Sequence, residues 1–385
     1  MAWIPYGTQS IDSDDRAAVD AVLASDFLTQ GPQVPAFEAA FAQRVHALEA
    51  VATHNATSAL YLSCLALGLQ AGDTLWTSPN SFVASANVGL MCGAQVDFVD
   101  IELESGLMSM TALAGKLAQA AQAQRLPKVV MPVHFAGQSC DMHALHALAQ
   151  RYGFAVIEDA SHAVGGAYQQ EPIGACQYSD ITVFSFHPVK IMTTGEGGMA
   201  TTQNPKLAQK LRLLRSHGVT RDPQLMTHHS SSMPWMYEQV ALGINARMTD
   251  IQAALGRTQL TKVDDFLNQR RAQVARYQKR LHPLPLSLPD EQEGRRSAWH
   301  LFCVRLADEA TRQRVFLQLK AKNIGVNVHY IPIHTQPFYQ RLGFRWGDFP
   351  QAEAWYAQAL TLPLHPKLTS DQQDWVMACL EEAIA

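Results

Sequence analysis

The most informative segment of the chain is Ser185-Phe186-His187-Pro188-Val189-Lys190, which continues into Thr193-Thr194-Gly195-Glu196-Gly197-Gly198. The residues before it, Ile181-Thr182-Val183-Phe184, are β-branched or aromatic and predict a buried strand. Lys190 follows on the turn, and the glycines behind it allow tight turns and close backbone approach. Most lysines are solvated surface residues. The alternative is a desolvated amine with a lowered pKa, which can form a Schiff base with a carbonyl compound.

Composition excludes several classes of protein. The chain has 385 residues, of which 47% are hydrophobic and 17% charged, enough for one large domain and a smaller one. The formal net charge is -4 and there is no basic run, so nucleic-acid binding is not expected. The N-terminus lacks the pattern of a signal peptide, and no apolar run is long enough to cross a bilayer. We therefore expect a soluble cytoplasmic protein that has no membrane partner.

Cysteine and histidine spacing gives no indication of a metal site. The six cysteines are widely spread and form no Cys-x-x-Cys pair, so neither a disulfide framework nor a zinc site is predicted. His143 and His146 lie three residues apart, but on an Ala/Leu-rich helix without a third ligand nearby. The sequence therefore predicts no metal.

Strand and helix patterns alternate along the first half of the chain. Strands are predicted at 74–77, 95–99, 128–134, 154–157, 181–186 and 199–201. Helices are predicted at 12–25, 34–45, 81–91, 111–123, 141–151 and 205–216, and another begins at Thr57 and Ser58. This alternation predicts a mostly parallel sheet between helices. Because ligands bind at the carboxyl ends of such strands, Asp159 and Lys190 fall where a site is expected.

The second half of the chain predicts a smaller α/β domain. A polar, irregular loop is expected at 226–237, and a long helical region from about 249 to 281. After a linker at 283–296, strands are predicted at 299–305 and 326–329, and helices at 309–321 and from about Asp371. We therefore predict an α/β protein with a large domain at 1–260, which includes the N-terminal helices, and a small C-terminal domain at 261–385.

Several residues have two interpretations each. Thr57 and Ser58 either cap a helix or cradle a phosphate at its N-terminus. Asp159 either forms a turn or pairs with a cation, because an unpaired carboxylate would be costly at the mouth of such an apolar strand. Phe82 is either a core residue or a stacking partner, and His162 is either a loop histidine or a donor.

The joint occurrence of these residues favours a site for pyridoxal 5'-phosphate (PLP). PLP needs a lysine that carries it, a carboxylate at its pyridine nitrogen, a phosphate cradle, an aromatic ring and a donor near its phenolate oxygen. The chain offers, in that order, Lys190, Asp159, Thr57-Ser58, Phe82 and His162.

With these residues the chain resembles the sugar-nucleotide aminotransferases, PLP enzymes of the aspartate-aminotransferase fold. The likeness covers nearly the full length and is carried by Asn55-Ala56-Thr57-Ser58-Ala59-Leu60, Glu158-Asp159-Ala160, Ser185 to Lys190, Thr194-Gly195-Glu196-Gly197-Gly198 and Asn245-Ala246-Arg247-Met248-Thr249-Asp250-Ile251-Gln252-Ala253-Ala254. Within that family it is most similar to members of the pseudaminic-acid pathway. That closer likeness is carried by Ile4-Pro5-Tyr6-Gly7, Ser25-Asp26-Phe27-Leu28-Thr29-Gln30-Gly31-Pro32 and Pro234-Trp235-Met236-Tyr237-Glu238.

The resemblance implies a role for each residue. Lys190 is expected to form the Schiff base and to shuttle the proton, and Asp159 to bind the pyridine nitrogen. Phe82 is expected to stack on the ring, and His162, which replaces a glutamine of many members, to donate toward the phenolate oxygen. The expected phosphate ligands are Thr57, Ser58, Ser185 and, from the partner subunit, Asn245. The expected substrate contacts are Thr29, Arg247, His329 and Tyr330, with Arg247 suited to the donor's carboxylate or to the nucleotide phosphates.

The implied activity is transfer of the amino group of glutamate to C4 of a UDP-linked 4-keto-6-deoxy-N-acetylhexosamine, by a homodimer whose active sites are shared across the interface. A sugar dehydratase of the same fold is an alternative, but such enzymes carry histidine where Lys190 stands. A different nucleotide-sugar aminotransferase, an ordinary amino-acid aminotransferase and a non-catalytic PLP sensor also share this fold. The segment 221–233 is longer than the family pattern, which leaves the exact sugar open.

Overall fold

The computed structural model describes residues 2–228 and 233–384. The helices are α1 (Ser13–Leu23), α2 (Gln33–Arg44), α3 (Ala56–Ala66), α4 (Ala84–Met91), α5 (Met110–Gln122), α6 (Met142–Tyr152), α7 (Pro205–Leu214), α8 (Asp250–Thr261), α9 (Val263–Leu281), α10 (Glu309–Ala321), α11 (Pro337–Gln340), α12 (Pro350–Gln358) and α13 (Ser370–Ile384). Single 3₁₀ turns cover Phe135–Gly137 and Ile333–Thr335. Residues 229–232 of the predicted loop at 226–237 lie outside the described residues.

The strands are β1 (Glu49–Thr53), β2 (Thr74–Thr77), β3 (Gln95–Phe98), β4 (Val129–Met131), β5 (Ala155–Asp159), β6 (Ala167–Tyr168), β7 (Glu171–Pro172), β8 (Ile181–Ser185), β9 (Gly198–Thr202), β10 (Val219–Thr220), β11 (Glu238–Gln239), β12 (Arg295–Arg296), β13 (Phe302–Arg305) and β14 (Ala359–Leu362). Seven of them form one sheet in the order β1-β9-β8-β5-β4-β2-β3. The pairs from β8 to β3 are parallel, whereas β9 runs antiparallel to both of its neighbours.

The central strands of this sheet are apolar because helices cover both faces. Every residue of β4 and of β8 is buried, as expected for parallel strands between two helical layers. The large hydrophobic clusters lie on the two sides of these strands. This arrangement confirms the predicted α/β fold with a large, mostly parallel sheet, and it brings the carboxyl ends of β5 and β8 next to each other.

The long helical region predicted at 249–281 is confirmed, with one break at Lys262. Lys262 ends α8 and begins α9, and its ammonium pairs with Asp12 and Asp15 near the start of α1. Helix α8 packs on α1 and α2, whereas α9 packs on α13. The two helices thus pack on different neighbours. The predicted division into domains at 260/261 falls beside this break and stays a prediction.

Two strand predictions in the C-terminal part need correction. Residues 326–329 form only one isolated bridge, between Asn327 and Thr361, instead of a strand. The partner of β13 is β14, in antiparallel register. The strand predicted from Trp299 begins only at Phe302, since Trp299 adopts a left-handed φ of 49° that an extended strand cannot contain. Residues 327–331 lie outside the strands, and they line a cavity instead.

No helix in the described ranges is long and apolar enough to cross a membrane.

Candidate active site

A cavity of about 730 Å³ opens at the carboxyl ends of β5 and β8. Its wall includes these predicted site residues: Thr57, Phe82, Asp159, His162, Ser185, Lys190, His329 and Tyr330. The cavity therefore brings together side chains from the large sheet and from the segment that follows α10. Its volume lies in the range typical of sites for small organic ligands.

The structure places the other predicted residues outside the wall of this cavity. The hydroxyl of Ser58 contacts His54 Nε2 at 3.2 Å instead. Thr29 forms a bridge with Thr249. Asn245 is exposed and Arg247 is half-buried.

Asp159 ends β5 as a buried carboxylate that accepts three hydrogen bonds. Ser85 Oγ donates to Oδ2 at 2.7 Å, while the Ser161 hydroxyl and amide donate to Oδ1 at 2.6 and 3.1 Å. These donors orient the carboxylate and compensate for its burial. The sequence interpretation missed both serines. The Asp-x-Ser spacing, typical of an Asx turn, could have revealed Ser161, whereas nothing local links Ser85 to a residue 74 positions away.

Lys190 lies on the turn after β8, and its amide donates to His187 O at 2.9 Å. Burial lowers the pKa of the Lys190 amine to about 8, although the charge of Asp159 opposes this change. Desolvation disfavours the ammonium form, so a substantial fraction of neutral amine exists near physiological pH. A neutral amine is the form that attacks carbonyl groups.

We therefore expect the reactivity of Lys190 in cofactor-free protein to rise with pH around a midpoint near 8. This midpoint is tested by the rate at which the visible absorbance band of protein-bound PLP grows after addition of PLP, measured between about pH 6.5 and 9.5. In Asp159→Asn the midpoint is expected to fall, because the opposing negative charge is removed. A rate that keeps rising toward the ordinary lysine pKa, with no inflection near 8, would contradict the expectation.

The N-terminus of α3 forms another part of the cavity wall, through Ala56 and Thr57. Asn55 caps the helix and accepts a hydrogen bond from the Ser58 amide at 2.8 Å, and Thr53 Oγ1 donates to Asn55 O at 2.8 Å. Free amides at a helix N-terminus bind anions such as phosphate. Gly198 makes the approach of β9 to this turn possible, because a Cβ there would lie 2.6 Å from Ala56 N.

Gly198→Ala is expected to displace the Asn55–Ala56 turn, since the atoms that the new methyl group meets are all backbone atoms. Overpacking of this kind costs about 1–3 kcal/mol, so thermal unfolding should occur at lower temperature and PLP should bind more weakly. Gly115→Ala is the matched control, because that glycine lies within α5 and has nothing within 4 Å of an added Cβ. An unchanged melting temperature and unchanged PLP affinity in Gly198→Ala would show that the close approach is not needed.

Histidine and tyrosine side chains form a further part of the cavity wall. Burial and the nearby charge of Lys190 lower the pKa of His329 to about 3, so its ring is neutral. Its Nδ1 contacts Thr361 Oγ1 at 2.7 Å and its Nε2 contacts Asn327 Nδ2 at 3.3 Å. Both ring nitrogens of His329 are thus bonded within the chain, while its ring lies 5.5 Å from that of Tyr6.

His162 is buried three residues after Asp159. Its Nδ1 accepts a hydrogen bond from the Ala136 amide at 3.3 Å, and its Nε2 lies 3.2 Å from the hydroxyl of Tyr330. Burial, together with the nearby charge of Lys190, holds the pKa of His162 well below its usual value. The imidazole is therefore neutral.

The residues of the cavity fit PLP better than a metal ion. Among residues 2–228 and 233–384, no group of three or more His, Cys, Asp or Glu side chains could hold a metal. A lysine with a lowered pKa, a carboxylate fixed by three donors and a helix N-terminus meet instead in one cavity. That combination, at the carboxyl ends of parallel strands, defines a PLP-dependent enzyme of the aspartate-aminotransferase fold.

Comparison with known proteins agrees with this class. Residues 9–381 match the model of the DegT/DnrJ/EryC1/StrS aminotransferase family, and the chain belongs to that family. The spore coat polysaccharide biosynthesis protein SpsC of Bacillus subtilis (strain 168) is 38% identical, over 99% of this chain and 97% of its own. The present chain is accordingly a PLP-dependent sugar aminotransferase, which uses an amino donor and a keto-sugar.

Solved structures of sugar aminotransferases superpose over nearly the whole chain. The PMP form of the putative sugar aminotransferase Spr1654 from Streptococcus pneumoniae has a TM-score of 0.90 at 28% identity, covering 99% of this chain and 98% of that one. Helicobacter pylori PseC, an aminotransferase involved in the biosynthesis of pseudoaminic acid, has a TM-score of 0.88 at 28% identity and 99% coverage of both chains. The family, the fold, the enzyme class and the cofactor expected from the sequence are thus confirmed.

Proposed function

We propose that this aminotransferase moves the amino group of glutamate to C4 of a UDP-linked 4-keto-6-deoxy-N-acetylhexosamine, as a step of pseudaminic-acid biosynthesis. The observation that carries the proposal is the likeness to Helicobacter pylori PseC, which extends over 99% of both chains. The sequence likeness of 4–7, 25–32 and 234–238 supports the same branch. A cavity of about 730 Å³ also has room for a sugar beside a cofactor.

When bound, PLP supplies an electron sink that stabilises negative charge at the carbon next to the reacting nitrogen. In the proposal, the Asp159 carboxylate holds the proton on the pyridine nitrogen, and Ser85 and Ser161 keep that carboxylate in place. Lys190 carries the cofactor, and its amine then moves a proton between the Cα of the amino donor and C4′ of the cofactor. A pKa near 8 suits that task, because the amine can both accept and return a proton near neutral pH.

The proposed phosphate site is the N-terminus of α3, with Thr57, Ser58 and Ser185 as hydroxyl donors. Thr57 and Ser185 line the cavity, whereas Ser58 would contribute after its hydroxyl leaves His54. Phe82 lines the same cavity with 62% of its surface exposed. An exposed aromatic ring at the mouth of a site favours a stacking partner, and the cofactor ring is the partner that we propose.

We also propose a two-fold homodimer in which Asn245 completes the phosphate site of the partner subunit. Asn245 lies outside the cavity of its own chain. The residues that precede it are exposed and apolar: Trp235 is 69%, Tyr237 59% and Leu242 84% exposed. Such a surface favours a protein interface over contact with water. A second copy of the chain at this surface would let Asn245 reach the phosphate site of the partner subunit.

Complementation between two inactive variants tests the shared site. Lys190→Ala and Asn245→Asp homodimers are each expected to be nearly inactive, the second because a carboxylate repels the phosphate. After the subunits are mixed and allowed to exchange, about one quarter of the wild-type activity should return, because half of the dimers contain one intact site. Lys190→Ala mixed with itself is the control. No recovery from a mixture whose heterodimers are demonstrated would contradict a shared site.

The proposed substrate contacts are Thr29, Arg247, His329 and Tyr330. His329 and Tyr330 already line the cavity. Arg247 follows Asn245 by two residues and would bind the donor's carboxylate or the nucleotide phosphates, since a guanidinium suits either anion. Thr29 forms a β-bridge with Thr249, which is close in sequence to Arg247. We therefore propose that Thr29 contacts the same ligand as Arg247.

Steady-state assays with matched acceptors test the proposed substrate. UDP-linked and dTDP-linked 4-keto-6-deoxy sugars, with and without an N-acetyl group at C2, are compared with glutamate as donor. The proposal expects the highest kcat/KM for the UDP-linked N-acetyl sugar. A clear preference for a dTDP-linked sugar would contradict the proposed substrate and would indicate a different nucleotide-sugar aminotransferase. Deoxygenation of the sugar without amino transfer would instead indicate the dehydratase, which the presence of Lys190 argues against.

A further inference from the structure

The hydrogen bonds of His162 have a defined direction. The amide of Ala136 can only donate, so Nδ1 of His162 is an acceptor in the 3.3 Å contact. The backbone of Ala136 is itself held, because its carbonyl accepts a hydrogen bond from the His300 amide at 2.8 Å. Since the His162 ring is neutral, its single proton must lie on Nε2.

The proton on Nε2 then determines the role of Tyr330. Nε2 lies 3.2 Å from the Tyr330 hydroxyl, so the histidine donates and the tyrosine oxygen accepts. The ring planes are nearly parallel, at 22°, and Phe135 packs edge-on against the Tyr330 ring at 6.1 Å. The tyrosine is thereby fixed, with its hydroxyl oxygen already used as an acceptor.

The proton of the Tyr330 hydroxyl has no acceptor among the side chains and backbone groups in the described part of the chain other than His162, whose Nε2 is already a donor. Burial raises the pKa of Tyr330, and the negative charge of Asp159 acts in the same direction, so the hydroxyl keeps its proton. Tyr330 lines the cavity. A donor fixed in a cavity without an acceptor is unfavourable, and a ligand oxygen can satisfy it.

We propose that Tyr330 donates its hydroxyl hydrogen bond to the ring oxygen of bound PLP, and that His162 is a positioning residue which orients Tyr330. This rests on the proposed placement of the cofactor between Lys190 and Asp159. The ring oxygen of PLP is an anion on the carbon adjacent to the one that bears the aldehyde. The phosphate arm is on the other carbon next to the aldehyde-bearing one, so with the phosphate at the N-terminus of α3 the ring oxygen faces away from that helix. We place the ring oxygen at the Tyr330 hydroxyl, which contacts His162, three residues after Asp159. The direct donation from His162 that the sequence predicts would require Nε2–H to leave Tyr330.

Tyr330→Phe removes only the hydroxyl and tests the proposal without substrate. A donor to the ring oxygen stabilises its anionic form, so the loss of that donor raises the pH midpoint at which the visible absorbance of the PLP-loaded protein changes. We expect an upward shift of about one pH unit and a PLP dissociation constant roughly tenfold higher. Tyr168→Phe is the matched control, because it also loses a buried hydroxyl that donates one hydrogen bond, at 2.8 Å to Asp141, outside the cavity.

Variants of His162 separate positioning from direct donation. His162→Gln keeps an N–H donor and should stay near the wild-type midpoint, whereas His162→Phe should shift the midpoint in the direction of Tyr330→Phe. In the double variant His162→Phe/Tyr330→Phe, the midpoint should move no further than in Tyr330→Phe alone, because the two residues act through one hydroxyl.

Two results would overturn the proposal. One is an unchanged midpoint in Tyr330→Phe, and the other is a further shift when His162 is replaced in the Tyr330→Phe background, which would make His162 the donor. Either result leaves the PLP enzyme and its substrate intact. Failure of the underlying cofactor placement is recognised separately, because the wild-type protein would then lack a visible band that depends on Lys190.

Discussion

Lys190→Ala is expected to abolish amino transfer while the chain still folds. The residue supplies the amine that carries the cofactor and the base that moves the proton, so its loss should reduce kcat by a factor on the order of 10⁴ or more. Folding should survive, because Lys190 is half-buried on a turn and contributes no side chain to a hydrophobic cluster in the described residues. Turnover of the keto-sugar and far-ultraviolet circular dichroism measure the two effects.

Two further lysine variants control this experiment. Lys206→Ala removes an exposed lysine of α7 and should retain wild-type turnover. Lys190→Arg keeps a positive charge but has no amine that can lose its proton near neutral pH, so it should be as inactive as Lys190→Ala. More than trace turnover by either Lys190 variant would remove this residue from the chemistry.

Asp159→Asn is expected to weaken PLP binding and to slow the reaction severely. The substitution keeps the shape of the side chain but removes the charge that pairs with a protonated pyridine nitrogen. Loss of one partner of a buried charge pair costs about 2–5 kcal/mol, or roughly 30- to 4,000-fold in rate or affinity. The hydroxyl groups of Ser85 and Ser161 can still donate to the amide oxygen, which favours a folded product.

Equilibrium titration with PLP and single-turnover rates with glutamate measure the effect of Asp159→Asn. Asp141→Asn is the matched control, because Asp141 also accepts hydrogen bonds from a backbone amide and a hydroxyl, those of Ala144 and Tyr168, but lies outside the cavity. Kinetics close to those of the wild type in Asp159→Asn would exclude the proposed role at the pyridine nitrogen.

The sequence was sufficient for features that depend on local pattern. Apolar runs such as Ile181–Ser185 place the strands, and the parallel alternation places Asp159 and Lys190 at adjacent strand ends. The helix near Thr57 and Ser58 was predicted as well, but its capping side chain is that of Asn55 and not of Thr57 or Ser58.

Contacts between distant residues could not be predicted in this way. Ser85 and Asp159 meet only through the packed sheet, and 168 positions separate Tyr330 from His162. The alternating stretch 326–329 has the pattern of a strand, but β13 pairs with β14 instead. Periodicity alone cannot decide which segment pairs with a given strand. The ion pairs of Lys262 with Asp12 and Asp15 likewise join residues that are remote in sequence.

The most direct test of the central claim is an absorbance spectrum of the PLP-loaded protein, recorded before and after addition of glutamate and then of the UDP-linked keto-sugar. We predict a visible absorbance band that requires Lys190, a shift of this band to the near-ultraviolet with glutamate, and its return with the keto-sugar. A band that does not respond to glutamate, or that returns with 2-oxo acids but with no keto-sugar, would contradict a sugar aminotransferase of this specificity.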